Sequence, residues 1–285
     1  MAGGAIDLML QIPEGPKKHW YGFLRSSLMD KESGEMNFPV EYMFKDVPAD
    51  IDENIDPVQA VIGEMDHWGI DKAMVGTGFF DNASSRAVRD HPDRFFGSFE
   101  VNPNKGMEGV RELEKAHREL GIKAATVFPA GLNPQVPIDD KKMFPLYAKC
   151  VELGIPICIC TGVPGPRVPM ACQKTELLDE VCWFFPELKI VMRHGAEPWD
   201  DLAVKLMLKW PNLFYSTSAF APKYYPKPII DYANSRGADK VMYAGYFPMG
   251  LSLERIFSEL PNVPLKDDVR PKFMRDNAIR VFNLD

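Results

Sequence analysis

From residue 57 to about residue 245 one unit recurs along the chain: a helix-like stretch, a Gly or Pro stop, then a short apolar or β-branched run. His67–Val75, Glu119–Val127 and Glu152–Cys160 carry it most plainly, and Phe185–Met192, Trp210–Thr217 and Arg236–Tyr243 are weaker copies. Gly after a last helical turn takes the left-handed cap conformation, and Pro stops a helix. The runs that follow are almost continuously apolar, which suits strands covered on both faces. With Ala5–Leu10 and Phe95–Val101 added, strands are expected over roughly 5–10, 72–77, 95–101, 122–128, 155–160, 188–193, 212–217 and 240–245. Helices are expected over about 57–68, 82–90, 107–120, 140–153, 174–185, 198–209, 227–236 and 251–260.

Eight alternating βα units within 285 residues predict an α/β fold, a closed (β/α)8 TIM barrel forming one domain over 1–285. A doubly wound open sheet is the competitor, but no Gly-rich phosphate fingerprint follows any strand. One segment breaks the rhythm. Residues 12–56, after the first strand, are rich in Pro, Gly, charged and aromatic residues, among them Trp20, Tyr21, Phe23, Phe38, Tyr42 and Phe44. So many aromatics predict an ordered lid or insertion over the barrel mouth rather than a disordered loop. The same rings would also suit an oligomer contact.

The net charge of −7 comes with scattered Lys and Arg, so no nucleic-acid footprint or polybasic membrane patch is expected. No apolar run approaches a membrane span. Five irregularly spaced cysteines point to reduced thiols and a cytoplasmic location.

The sharpest chemical signal is His194, directly after the apolar run Lys189–Arg193 and before Gly195. A lone imidazole at the C-terminal lip of a barrel strand stands where such barrels do chemistry, and an unperturbed imidazole titrates near neutrality. Counting by twos, His194 shares inward parity with Met192, and Asp7 shares it with Met9 and Gln11. Asp7 therefore needs a buried partner. Arg167, in a loop stiffened by Pro164, Pro166 and Pro169, suits carboxylate binding at the mouth. Lys45 and Asp46 are an acid/base pair on the insertion, and Tyr246 is a candidate proton donor. Gln11, Cys160 and Trp199 complete the candidate substrate-binding set, with Ser216 and Ser218 as weaker hydroxyls. Cys158, Cys160 and His194 form a conceivable Cys2His metal set, but two positions along one strand differ in depth by roughly 6–7 Å. Buried apolar thiols are the preferred reading.

Placed on this barrel, the chain resembles the amidohydrolase-related family that includes aminocarboxymuconate-semialdehyde decarboxylase and aromatic-acid decarboxylases. The likeness runs through Ile6–Asp7, Ile155–Gly162, His194–Trp199 and Asp276–Phe282. In that family the first, fifth, sixth and eighth strands end in His and Asp ligands that hold a divalent metal, usually zinc. Here Met9, Gln11, Cys160 and Tyr246 stand at four of those places and only His194 remains. The resemblance thus implies the fold and the pocket but no metal centre and no cofactor. Without metal-activated water, a lyase of the decarboxylase, hydratase or cyclase type is expected, acting on a small carboxylated cyclic or aromatic substrate with His194 as general acid/base. The alternatives are a metal-independent hydrolase of a lactone or C–C bond, and a non-catalytic pseudoenzyme that only binds. A homodimer is the family-level expectation.

Overall fold

The computed structural model describes residues 3–38, 40–45, 47–52 and 54–284. Eight parallel strands follow in the order of the chain: β1 (Ala5–Asp7), β2 (Ile70–Gly76), β3 (Phe95–Glu100), β4 (Ala124–Val127), β5 (Ile157–Cys160), β6 (Ile190–Arg193), β7 (Leu213–Ser216) and β8 (Val241–Met242). Helices alternate with them: α1 (Lys31–Glu35), α2 (Pro57–Trp68), α3 (Ala83–Asp90), α4 (Met107–Leu120), α5 (Phe144–Leu153), α6 (Leu178–Phe184), α7 (Asp200–Lys209), α8 (Lys227–Ala233), α9 (Leu253–Glu259) and α10 (Asn277–Phe282). This is the expected TIM barrel. The stops read from the sequence act as expected: Gly69, Gly121 and Gly154 end α2, α4 and α5 in the left-handed conformation.

Register shows which face is the interior. Phe96 of β3 packs on Phe282 of α10 with ring centroids 5.9 Å apart, and Phe214 of β7 lies under Arg280 of the same helix. Two strands on opposite sides of the barrel can meet one helix only if that helix closes the barrel's N-terminal end. Phe214 pairs with Val191 and Cys158, Cys158 with Thr126, and Thr126 with Glu100. Side chains paired across parallel strands share a face, so these residues line the inside, as do Cys160 and its partner Arg193 two positions on. Met192 pairs with Ile159 and Tyr215 on the face turned to the helices. The expectation that Met192 points inward is therefore wrong.

Asp7 pairs with Ala73, after a register shift between Ala5 and Ile6, and Ala73 pairs with Phe95. That puts Asp7 on the outer face at the seam between β8 and β1, again against expectation. There its carboxylate accepts from Gly245 N (2.8 Å), Met9 N (2.9 Å) and the Tyr243 hydroxyl (3.1 Å). These are the buried partners that its charge requires.

The described residues of the segment 12–56 form short turns, Lys17–His19, Gly22–Ser27 and Glu41–Met43, around α1. Their order comes from tertiary contact rather than from helix length. Phe44 stacks on Tyr246, Tyr21 stacks on Phe38, and the Tyr42 hydroxyl donates to the Gly165 carbonyl in the loop after β5. Among the described residues no helix is long and apolar enough to cross a membrane.

Candidate active site

β6 ends in Arg193, and the next residue leaves the strand conformation: His194 has φ 63°. A non-glycine residue in the left-handed region is uncommon and carries strain, and such strain concentrates at functional sites. The turn ends the strand's alternation, which is why parity with Met192 misplaces the imidazole. The geometry is held by the His194 amide, which donates to Ser218 Oγ at 3.0 Å. Ser216 Oγ donates to the Met192 carbonyl at 3.1 Å. Both serines are thus committed to the backbone.

Arg193 Nε donates to His194 Nε2 at 3.2 Å. An imidazole nitrogen that accepts carries no proton, so the ring proton lies on Nδ1. That atom is buried and has no hydrogen-bond partner among the described residues. Burial, with the adjoining Arg193 charge, holds the His194 pKa well below its ordinary value. The expectation of an imidazole titrating near neutrality is corrected accordingly: His194 is a neutral ring at pH 7.

Around this pair the mouth is built from four strand ends and the insertion. Arg193 faces Cys160 across β5–β6, and burial pushes the Cys160 thiol up to about 11. Tyr246 stands edge-on to His194 with ring centroids 5.4 Å apart. Its hydroxyl lies 3.1 Å from that of Tyr21, and burial raises both phenols. Glu100, at the end of β3, has an exposed side chain, yet surrounding protein desolvates its carboxyl enough to raise its pKa against the pull of Arg193.

The candidates read from the sequence are only partly brought together here. His194, Tyr246 and Cys160 meet. Gln11 is half-buried, and its backbone N–H donates to the Phe247 carbonyl at 2.9 Å. Trp199 is half-buried just before α7. Arg167 is spent elsewhere: Nη1 bonds Asp30 and Glu32 at 2.8 Å each, and the guanidinium lies over the Tyr42 ring. It anchors the insertion instead of being offered at the mouth, which corrects its expected role. Lys45 is exposed on the insertion, and Asp46 lies outside the described residues.

Arg193 and Glu100 escaped the sequence reading. Their signal was present as two charges ending strands whose inner faces are otherwise small or apolar. A cavity of about 250 Å³ lies within the insertion, walled by Tyr21, Arg25, Ser33, Met36, Asn37 and Phe38 rather than by His194. Tyr21 belongs to both this cavity and the mouth.

The donors at the mouth do not fit a divalent metal. His194 Nε2 is occupied by a guanidinium, Tyr246 and Gln11 are poor metal donors, and Cys160 and Glu100 alone do not make up the three protein ligands a catalytic site takes. Among the described residues no group of three or more His, Cys, Asp or Glu is placed to hold a metal ion.

Comparison with known proteins agrees with the architecture. A family model described as amidohydrolase matches residues 28–284. Among solved structures, an uncharacterized TIM-barrel protein from Bordetella bronchiseptica is similar at 22% identity and TM-score 0.72, with 98% of each chain covered. A 5-carboxyvanillate decarboxylase from Novosphingobium aromaticivorans, in complex with manganese and 4-hydroxy-3-methoxy-5-nitrobenzoic acid, is 19% identical over 99% of this chain and 97% of its own, with TM-score 0.70. A 4-oxalomesaconate hydratase from Rhodopseudomonas palustris is 21% identical over 98% and 96%, with TM-score 0.60. At these identities the likeness is one of fold. No curated protein sequence matches the chain.

Proposed function

The chain belongs to the amidohydrolase family, and from that premise we propose a metal-independent lyase acting on a small aromatic or cyclic carboxylate at the barrel mouth. The observation that carries this reading is Arg193. Its Nε is fixed on His194, while its two terminal nitrogens make no hydrogen bond among the described residues. A guanidinium held from one edge presents the other to a ligand, and a planar fork matches a carboxylate in two parallel bonds. Two of the fold's neighbours, a decarboxylase and a hydratase, act on carboxylated compounds, which supports the substrate class.

In this reading Arg193 holds the carboxylate and His194, neutral, serves as donor through its unpartnered Nδ1–H. Tyr246 and Tyr21 close the mouth, with residues 12–56 as the lid. The donor set supports chemistry without a metal, so dialysis against a chelator should leave the rate within about twofold, because no bound metal ion would supply Lewis-acid assistance. Loss of activity on chelation, restored by manganese, overturns that part. The main test measures CO2 release from 5-carboxyvanillate and from 2-hydroxybenzoate, and hydration of 4-oxalomesaconate, in wild type and His194→Ala. Turnover that falls at least about 100-fold in a folded variant supports the reading. Tight binding of these acids without turnover favours the binding-only alternative.

A further inference from the structure

The cavity inside the insertion has no part in the proposed reaction. Its volume of about 250 Å³ is enclosed by the turn Gly22–Ser27, α1 and the stretch that leads to Phe38. Drug-sized ligands fill roughly 300–1,000 Å³, so this space selects something smaller, such as a single ring. Part of the wall is apolar, from Leu28, Met36, Phe38 and Tyr21, and Tyr21 stacks on Phe38 with ring centroids 6.1 Å apart. With them stand Arg25 and Ser33. Ser33 is 4% exposed, and its Oγ has no hydrogen-bond partner among the described residues. That hydroxyl stands close enough to the Asp30 carboxylate to lower its pKa, yet out of hydrogen-bond geometry with it. A buried hydroxyl in that position calls for an acceptor from outside the chain. Charge decides what kind. Among the described residues of the wall Arg25 is the one cation and none is acidic. The nearby carboxylates are already engaged: Asp30 and Glu32 with Arg167, Glu35 with Lys31, and Glu41 with Asn37.

We infer that this cavity is a second ligand site, separate from the barrel mouth, which takes a small aromatic monocarboxylate and holds the insertion down when filled. The inference stands whichever reaction the mouth performs. The carboxylate accepts from Arg25 and from the Ser33 hydroxyl, and the ring lies against Tyr21 and Phe38. Tyr21 links the site to the mouth. It walls the cavity, while its hydroxyl lies 3.1 Å from that of Tyr246, which stands edge-on to His194. A ligand packed on Tyr21 therefore also fixes the hydroxyl that meets Tyr246, so an acid bound outside the mouth orders the segment that covers it. Binding to the folded insertion alone stabilises it by mass action.

The test titrates benzoate calorimetrically into Arg193→Met, alone and combined with Arg25→Gln or Met36→Trp. Arg193→Met removes the fork at the mouth and should still bind one benzoate per chain. Adding Arg25→Gln should weaken that binding by at least about tenfold, the worth of a charge-assisted bond. Adding Met36→Trp, which puts a larger side chain into the space, should abolish it. Saturating benzoate should slow proteolytic nicking within residues 12–56 by at least about fivefold in Arg193→Met, and not once Arg25→Gln is added. Melting temperatures check the fold of each variant. Arg25 is exposed, so Arg25→Gln decides the matter should Met36→Trp fail to fold. Arg193→Met that binds no benzoate overturns the site. Binding with the same Kd after Arg25→Gln puts the benzoate elsewhere and overturns it too. Binding that needs Arg25 but leaves nicking unchanged overturns the hold on the insertion.

Discussion

Position 193 sets the electrostatics of the mouth, because its guanidinium lies against an imidazole that burial already keeps neutral. Replacing Arg193 with Met should raise the His194 pKa toward its ordinary value, followed by NMR titration of the ring. It should also weaken binding of an aromatic carboxylate by at least about tenfold, given what a charge-assisted bond contributes. An unchanged titration would mean that desolvation alone holds the ring neutral. The lowered pKa has a consequence for stability. The unfolded chain's imidazole takes a proton first as pH falls through about 6.5, so the neutral ring's contribution is present above that pH and is lost progressively below it. His194→Gln should therefore narrow the fall in urea midpoint between pH 7.5 and pH 5 relative to wild type. An identical fall in both proteins would show that the ring is not desolvated. Arg193 itself was overlooked in the sequence because a charge at the end of an apolar run usually marks a strand leaving the core. Only the register with Cys160 turns it inward.

Among the elements, the insertion shows where legibility stops. Its aromatics announced an ordered segment, and Tyr21, Phe38 and Phe44 do pack. What Arg167 binds could not be read, because Asp30 and Glu32 lie 137 and 135 residues away along the chain. Nor does period-two alternation foresee a left-handed residue at the strand end, and His194–Gly195 reads like any β-to-loop exit. The anchor is exposed and ionic, so it should be sensitive to salt, since an exposed ion pair is weak in water and is weakened further as salt screens it. Arg167→Ala should speed proteolytic nicking within residues 12–56 severalfold while leaving the barrel's melting temperature nearly unchanged. Wild type should approach the variant's nicking rate as salt is raised. Equal nicking in both proteins at low salt would mean that the aromatic stack, not the guanidinium, holds the insertion down.

For the whole molecule, closure of the barrel is the part of the fold that no local pattern encodes. The helix–stop–strand rhythm predicted eight strands, but β8 is only two residues long, and among the described residues the strand ladder runs from β1 to β8 without joining its ends. The C-terminal segment Lys272–Asp276 bridges the gap. Tyr243 N donates to the Phe273 carbonyl at 2.8 Å, and Arg275 Nη1 reaches the Gly4 carbonyl and Asp71. The Asp7 carboxylate supplies the second bridge, and Gly245 is what lets it approach, since a Cβ there would lie 2.5 Å from Asp7 Oδ2. Asp7→Ala would strand two backbone N–H groups and one hydroxyl in the interior, and each buried donor left without an acceptor costs ~1–3 kcal/mol. The expected loss is about 3–5 kcal/mol, a large share of a typical domain's stability. The cost has a pH signature. Burial outweighs the three hydrogen bonds and raises the Asp7 pKa, so the contribution of its neutral form is full at low pH and declines as pH rises through the raised value. Asp7→Asn keeps one acceptor oxygen and cannot ionise, so its deficit against wild type should be smaller at pH 7 than at pH 3.5, below the ordinary value of 3.8. Urea unfolding of the three proteins at both pH values checks this. An Asp7→Ala midpoint indistinguishable from wild type would assign closure to the Lys272–Asp276 segment alone, and a pH-independent Asn deficit would mean that Asp7 keeps one protonation state throughout.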